Sequence, residues 1–304
     1  RSVGSSLASL VIGTGTPLVA YVTVDGNPVL SGSRMTIIAG VFSVLAVICY
    51  LLCYNLVRER VPVPANNQKL DLLALGKSLI TNRALLGIVA AALLLLLAML
   101  GMQGMSAYVF PNVYRNTQAQ SVVALLSNVS IIAICAPLAS KLAAKFGKKE
   151  LATVSCLFGA ASYVICFILH PDNVWVYVIF YVAAFVGLGF FNTIIWAMIT
   201  DVIDDAEVKN GIREDGTIYA VYSFARKLGQ AFSSGMVGAL LSLAGYSTAT
   251  AFDPAVTESI FKISCIVPII GLTTVALALI FIYPLNKKRV ESNVAELARR
   301  RGEK

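Results

Sequence analysis

Long apolar runs, each about as long as a bilayer is thick and closed by a polar stretch, divide this chain from end to end. Eight are present, near 7–24, 35–57, 84–110, 122–140, 151–169, 174–200, 217–246 and 258–284. About 20 residues rising 1.5 Å each cross a hydrocarbon core of ~30 Å, so runs this long read as membrane-spanning helices. Lipid offers backbone N–H and C=O groups no partner, which makes helices the reading of such runs and gives a β-barrel no support. The expected fold class is an all-α polytopic membrane protein, with the lipid bilayer as its surroundings.

The polar breaks organise these runs. The longest, 58–82, opens with Pro62 and Pro64, and its leucines from Leu70 to Leu79 suggest a short amphipathic helix. It separates two runs from six, as a central cytoplasmic linker would. The expected domains are 1–57 (two helices), 58–82 (linker), 83–286 (a six-helix bundle) and 287–304 (a basic tail). Breakers fall inside several runs: Gly13 to Pro17 in the first, Pro137 in the fourth, Gly187 and Gly189 in the sixth, Pro268 in the last. Each permits bending or close helix approach around a central site, or is ordinary membrane-helix composition.

Charge orients the runs. The chain is 58% hydrophobic and 13% charged with a mean hydropathy of +0.79, far from soluble globular composition. Its net charge of +8 invites a nucleic-acid reading until the basic residues are placed. Numbering the connections alternately puts nineteen of the 24 Lys and Arg on one side, including Arg1, Lys77, Lys145, Lys148 and the 287–304 tail. The positive-inside rule makes that side cytoplasmic. The expected location is the cell's inner (plasma) membrane, with a cytoplasmic C-terminus and no nucleic-acid partner. All six cysteines lie in apolar runs and the single His170 sits in a short outer loop, so no disulfide framework or metal site is expected. The start at Arg1, without Met or leader pattern, reads as an interior cut.

Polar chemistry concentrates in 196–231, WAMITDVIDDAEVKNGIREDGTIYAVYSFARKLGQA. Asp201, Asp204 and Asp205 close one apolar run at i, i+3, i+4 spacing, near one helix face. Carboxylates at a helix C-terminus oppose its dipole and call for positive partners. Arg226 and Lys227 lie well inside the next run, where a cation costs at least a few kcal/mol and should face a bundle interior or wet cavity. The chain lacks a phosphate-binding glycine loop, a dinucleotide fingerprint, a nucleophile elbow and a His-Glu-x-x-His pattern. Catalytic residues, ATP-driven pumping and cofactors are therefore not expected; the arrangement suits a protein that moves or recognises a polar solute.

The turn 137–149, PLASKLAAKFGKK, resembles the basic loop between the eighth and ninth helices of the major facilitator superfamily. Asp201-x-x-Asp204-x-x-Glu207-x-Lys209, Arg213-Glu214-x-Gly216-x-x-Tyr219 and Arg226-Lys227-x-Gly229-Gln230 are similar to motifs of its glycoside–pentoside–hexuronide cation symporters. The resemblance implies a twelve-helix fold of which eight helices are present, the first four lying outside an N-terminally truncated chain. It implies alternating access to a small-molecule sugar or glycoside, coupled to Na⁺, Li⁺ or H⁺ bound mostly outside this chain, in a monomer. Arg1 and Lys227 match sugar-facing positions, with Arg226 pointing elsewhere, toward the carboxylates. Asp201 and Asp204 match acids that close the cytoplasmic side, with Lys145 as one basic partner. Asn192 stands where the melibiose permease, a family member, carries a cavity tryptophan; it bonds either solute or a neighbouring helix. Trp196, one turn on, serves as a sugar platform or packs. The rival readings are an eight-helix channel and a membrane enzyme acting on lipid-linked sugars.

Overall fold

Asparagine starts three of the long helices, in a computed structural model that describes residues 8, 11–13, 15–16, 19–24, 27–56, 82–211, 213 and 215–301. Asn82 Oδ1 accepts from the Ala84 and Leu85 amides, Asn116 Oδ1 from Ala119 and Asn173 Oδ1 from Trp175, satisfying amides a helix start leaves open. The helices are α1 (Gly32–Leu56), α2 (Arg83–Val113), α3 (Thr117–Phe146), α4 (Lys148–Leu169), α5 (Val174–Asn210), α6 (Asp215–Leu243), α7 (Pro254–Phe281) and α8 (Lys287–Arg301). All but α6 and α8 are long and apolar enough to cross a membrane, which makes six among the described residues against the eight expected. α6, expected at 217–246, has the length at 29 residues but carries too many polar side chains to reach the same apolarity.

The first expected span differs more. The described residues at 11–13, 15–16 and 19–20 are helical, but the chain then forms β1 (Tyr21–Val24) and β2 (Asn27–Leu30). The strands pair antiparallel, Tyr21 opposite Leu30 and Val24 opposite Asn27. The local sequence explains this: a β-branched stretch precedes Asp25-Gly26, the dipeptide signature of a tight hairpin. A helix through residue 24 is therefore corrected, although the chain remains overwhelmingly helical. The expected linker falls almost wholly on residues 57–81, outside those described, and so does Arg1.

Helices α2 to α7 form one bundle. α4 lies against α5 and α7, α2 against α6 and α7, and α3 and α2 close against α5. Gly187 on α5 shows why small residues are required: a Cβ there would run into the Ser155 carbonyl oxygen on α4. Of the two expected uses of this small residue, bending or close helix approach, it serves close approach. Gly147 does make the α3–α4 turn, at φ 107°, where a side chain is strained. Tyr163, Tyr177, Phe110 and Phe261 lock the core edge-on or tilted, and Tyr177 is within 3.3 Å of the Ser264 hydroxyl. α2 ends in a π-turn, Val109–Val113, and α3 is interrupted by one, Ile131–Cys135. α1 buries none of its residues.

Two charged features extend beyond the apolar pattern. At 37 residues, roughly 55 Å, α5 outruns its apolar stretch and holds its acids on helix rather than loop. The expected basic tail folds as α8, whose Leu297 and Asn293 are buried.

Candidate functional site

A cavity of about 810 Å³ opens where α2, α3, α5 and α6 meet, with residues of the first helical segment and Met35 of α1 on its wall. Helical spacing selects its lining. On α3, Gln120, Val123, Ala124, Ser127, Asn128 and Ile131 recur at i, i+3, i+4, i+7, i+8 and i+11, one continuous stripe. α2 contributes Gln103 and Ser106, α5 Tyr181, Phe185 and Asn192, and α6 Arg226 and Gln230. Amides and hydroxyls thus alternate with aromatic and aliphatic surface, as suits a solute with both polar and apolar faces.

Three polar atoms in this wall are buried without a hydrogen-bond partner among the described residues: Gln120 Oε1, Ser127 Oγ and Thr16 Oγ1. Each such atom costs about 1–3 kcal/mol. All three residues line the same cavity, so unmet hydrogen-bonding capacity is concentrated in its wall.

Of the two adjacent cations on α6, Arg226 lines the cavity. Its Nη1 donates to the Tyr222 hydroxyl at 3.1 Å, and its Cζ lies 5.4 Å from the Trp196 ring and 5.8 Å from the Tyr222 ring. Trp196 and Tyr222 meet edge-on at 5.4 Å. The structure therefore departs from the expected orientation, in which Lys227 faced the cavity and Arg226 turned toward the carboxylates. Consecutive helical residues point about 100° apart, so one face cannot hold both. Tyr222, one turn before Arg226, and Trp196 hold the arginine. Lys227 is exposed, and its Nζ donates to Gln230 Oε1 at 3.2 Å, so it touches the cavity wall through Gln230. Asn192 does line the cavity, whereas Trp196 sits behind it as a partner of Arg226.

The acids of α5 gather a separate polar layer at its charged end. Asp201 pairs with Lys148 at 2.6 Å; its Oδ2 is buried and unpaired. Asp204 and Glu207 both accept from Arg213, at 2.9 and 2.8 Å, and Asp215 joins them. Glu207 first, then Asp204 and Asp215, raise the Arg213 pKa above the usual guanidinium range. Asp205, expected only as a member of the cluster, is the most enclosed: Lys209, Arg289 and Asn293 all bond its carboxylate. The positive partners that the opposed helix dipole called for are thus present. Lys145 is not the partner of Asp201 or Asp204 here; its ammonium lies 5.2 Å from the Phe146 ring, and its carbonyl accepts from Lys287. Lys148 takes Asp201 because it begins α4, which packs along α5, whereas Lys145 ends α3 before the Gly147 turn.

Sequence reasoning overlooked Gln103, Gln120, Ser127 and Asn128, and took Gln230 only as part of a motif. The available signal was the polar stripe on α3, polar residues at helical spacing within an apolar run. Among the described residues no cluster of His, Cys, Asp and Glu has the makings of a metal site.

Known proteins similar to this chain bear on what such a cavity holds. The family described as "MFS/sugar transport protein" matches residues 2–287. The chain is 27% identical to a "Glucuronide carrier protein homolog" of Escherichia coli (strain K12), over 86% of this chain and 56% of the relative. It is 28% identical to a "Putative sulfoquinovose importer" of the same organism, over 86% and 56%. With an "Isoprimeverose transporter" of Lactiplantibacillus pentosus it shares 24%, over 94% and 59%. The chain spans a little over half the length of these relatives.

Proposed function

Because this multi-pass membrane chain belongs to the MFS/sugar transport protein family, we propose that it serves cation-coupled symport of a sugar, a glycoside, pentoside or hexuronide, by alternating access. The observation that carries this reading is the cavity between α2, α3, α5 and α6, with its orphaned Gln120, Ser127 and Thr16 atoms. Sugar hydroxyls both donate and accept, so they complement such a lining. The relatives named for glucuronide, sulfoquinovose and isoprimeverose support the same solute class.

In this reading Asn192 and Gln230 orient the solute, Lys227 braces Gln230, and Arg1 adds a contact from the first segment. Asp201, with Lys148 in this state and Lys145 in another, belongs to a gate at the cytoplasmic side of the inner membrane, where α8 also lies. Asp204 works with it. Several weak pairs made in one state alone shift a balanced equilibrium roughly tenfold or more.

The test is uptake by the full-length parent in proteoliposomes under inward Na⁺, Li⁺ or H⁺ gradients, across labelled glycosides, pentosides and hexuronides. Saturable uptake that follows one gradient is the expected result. Conductance without saturation would favour a channel, and release of product from a lipid-linked sugar would favour an enzyme.

A further inference from the structure

A cation that lines a cavity has an unmet electrostatic need. Arg226 is the only charged side chain in the lining among the described residues, and the lining contains no carboxylate. No ion pair to Arg226 forms among the described residues, and the acids of α5 are engaged elsewhere. Lys148 holds Asp201, Arg213 holds Asp204 and Glu207, and Lys209 with Arg289 holds Asp205. Its neighbours Tyr222 and Trp196 offer ring faces and one hydroxyl, which steady a guanidinium without neutralising it. Arg226 is partly buried, and an unpaired cation on a cavity wall attracts an incoming anion more strongly than it would in bulk water.

We infer that Arg226 is the specificity-determining residue of this cavity and selects a polyhydroxylated solute carrying one fixed negative charge, a carboxylate or a sulfonate. This rests on the sugar-site reading and narrows it. The planar guanidinium fork suits the paired oxygens of either anion, with the hydroxyls of the same solute falling to the α3 stripe at Gln120, Ser127 and Asn128. A neutral sugar would satisfy the stripe but leave the cation unanswered.

The test compares solutes that differ only in charge. Calorimetric titration of the purified full-length parent uses D-glucuronate, its neutral isostere D-glucuronamide, the 6-sulfonate of 6-deoxyglucose and D-glucose. The two acids are expected to bind at least about tenfold tighter than the amide, the size of one charged hydrogen-bonded contact. The ratio between the two acids identifies which anion the fork prefers. Arg226→Gln should remove the acid-over-amide preference while leaving weak binding of the neutral compounds. If that variant does not fold, Arg226→Lys serves in its place and should reduce the preference, because an ammonium cannot form the fork. Equal binding of acid and amide, or an intact preference in the variants, overturns the assignment. Tight binding of D-glucose without the acids overturns it and leaves the sugar site standing. No binding of any of the four by folded protein overturns both.

Discussion

The cavity and the charged end of α5 lie on the same helix, Asn192 and Asp201 being roughly 13 Å apart along its axis, yet they treat polar groups in opposite ways. At the charged end, Asp205 collects Lys209, Arg289 and Asn293, and Arg213 ties three carboxylates together. In the cavity wall, Gln120, Ser127 and Thr16 hold atoms without partners, and Arg226 is without a carboxylate, among the described residues. Satisfied polarity holds elements together. Unsatisfied polarity in a low-dielectric wall opposes stability and persists where a ligand makes use of it. Asp201 stands between the two cases, with one oxygen paired to Lys148 and the other without a partner among the described residues.

The largest effect expected from this contrast comes from breaking the charged end at its most exacting pair. Lys148→Met leaves the buried Asp201 carboxylate unpartnered and should cost about 3 kcal/mol, read as a lower unfolding midpoint in detergent. Adding Asp201→Asn should restore most of the loss, since the uncompensated charge is then gone. If the double variant is no more stable than the single one, the pair is not what holds α4 to α5.

In the cavity the sign reverses. Gln120→Leu with Ser127→Ala removes two orphaned groups and should raise stability by about 1–2 kcal/mol while weakening solute binding about tenfold. A fall in both stability and affinity would show that these groups support the fold instead. Arg289→Ala takes away one of the three partners of Asp205 and should cost about 1 kcal/mol, with looser docking of α8 read by proteolysis of the tail. The smallest effect belongs to Arg299, which pairs with Glu296 on the solvent side of α8. Arg299→Ala should leave the midpoint and uptake unchanged, because exposed ion pairs contribute little.

Much of this was legible from patterning alone. The runs from residue 84 onward coincide with helices α2 to α7, and Gly147 was readable as the α3–α4 turn. Asn192 was singled out and does line the cavity. What escaped has identifiable causes. The pairing of β1 with β2 was hidden by flanking residues as apolar as a membrane helix. The α3 stripe dissolves into its run unless the helical period is tracked residue by residue. The continuation of α5 to Asn210 depends on ion pairs that satisfy its acids, and those come from α4, the α5–α6 turn and α8.

By itself, the sequence determined that the chain crosses a membrane as helices, which end carries the positive charge, and that two cations lie deep in one apolar run. Those features are read from the composition of single runs against hydrocarbon thickness and the cost of desolvating charge, so they are local and additive along the chain. Only the tertiary structure decided that Arg226 rather than Lys227 enters the cavity, that Lys148 rather than Lys145 holds Asp201, and that α8 seals Asp205. Each is a choice between neighbours similar in composition. It was settled by which ring, carboxylate or carbonyl another helix brought within about 3–6 Å, information that no single segment contains.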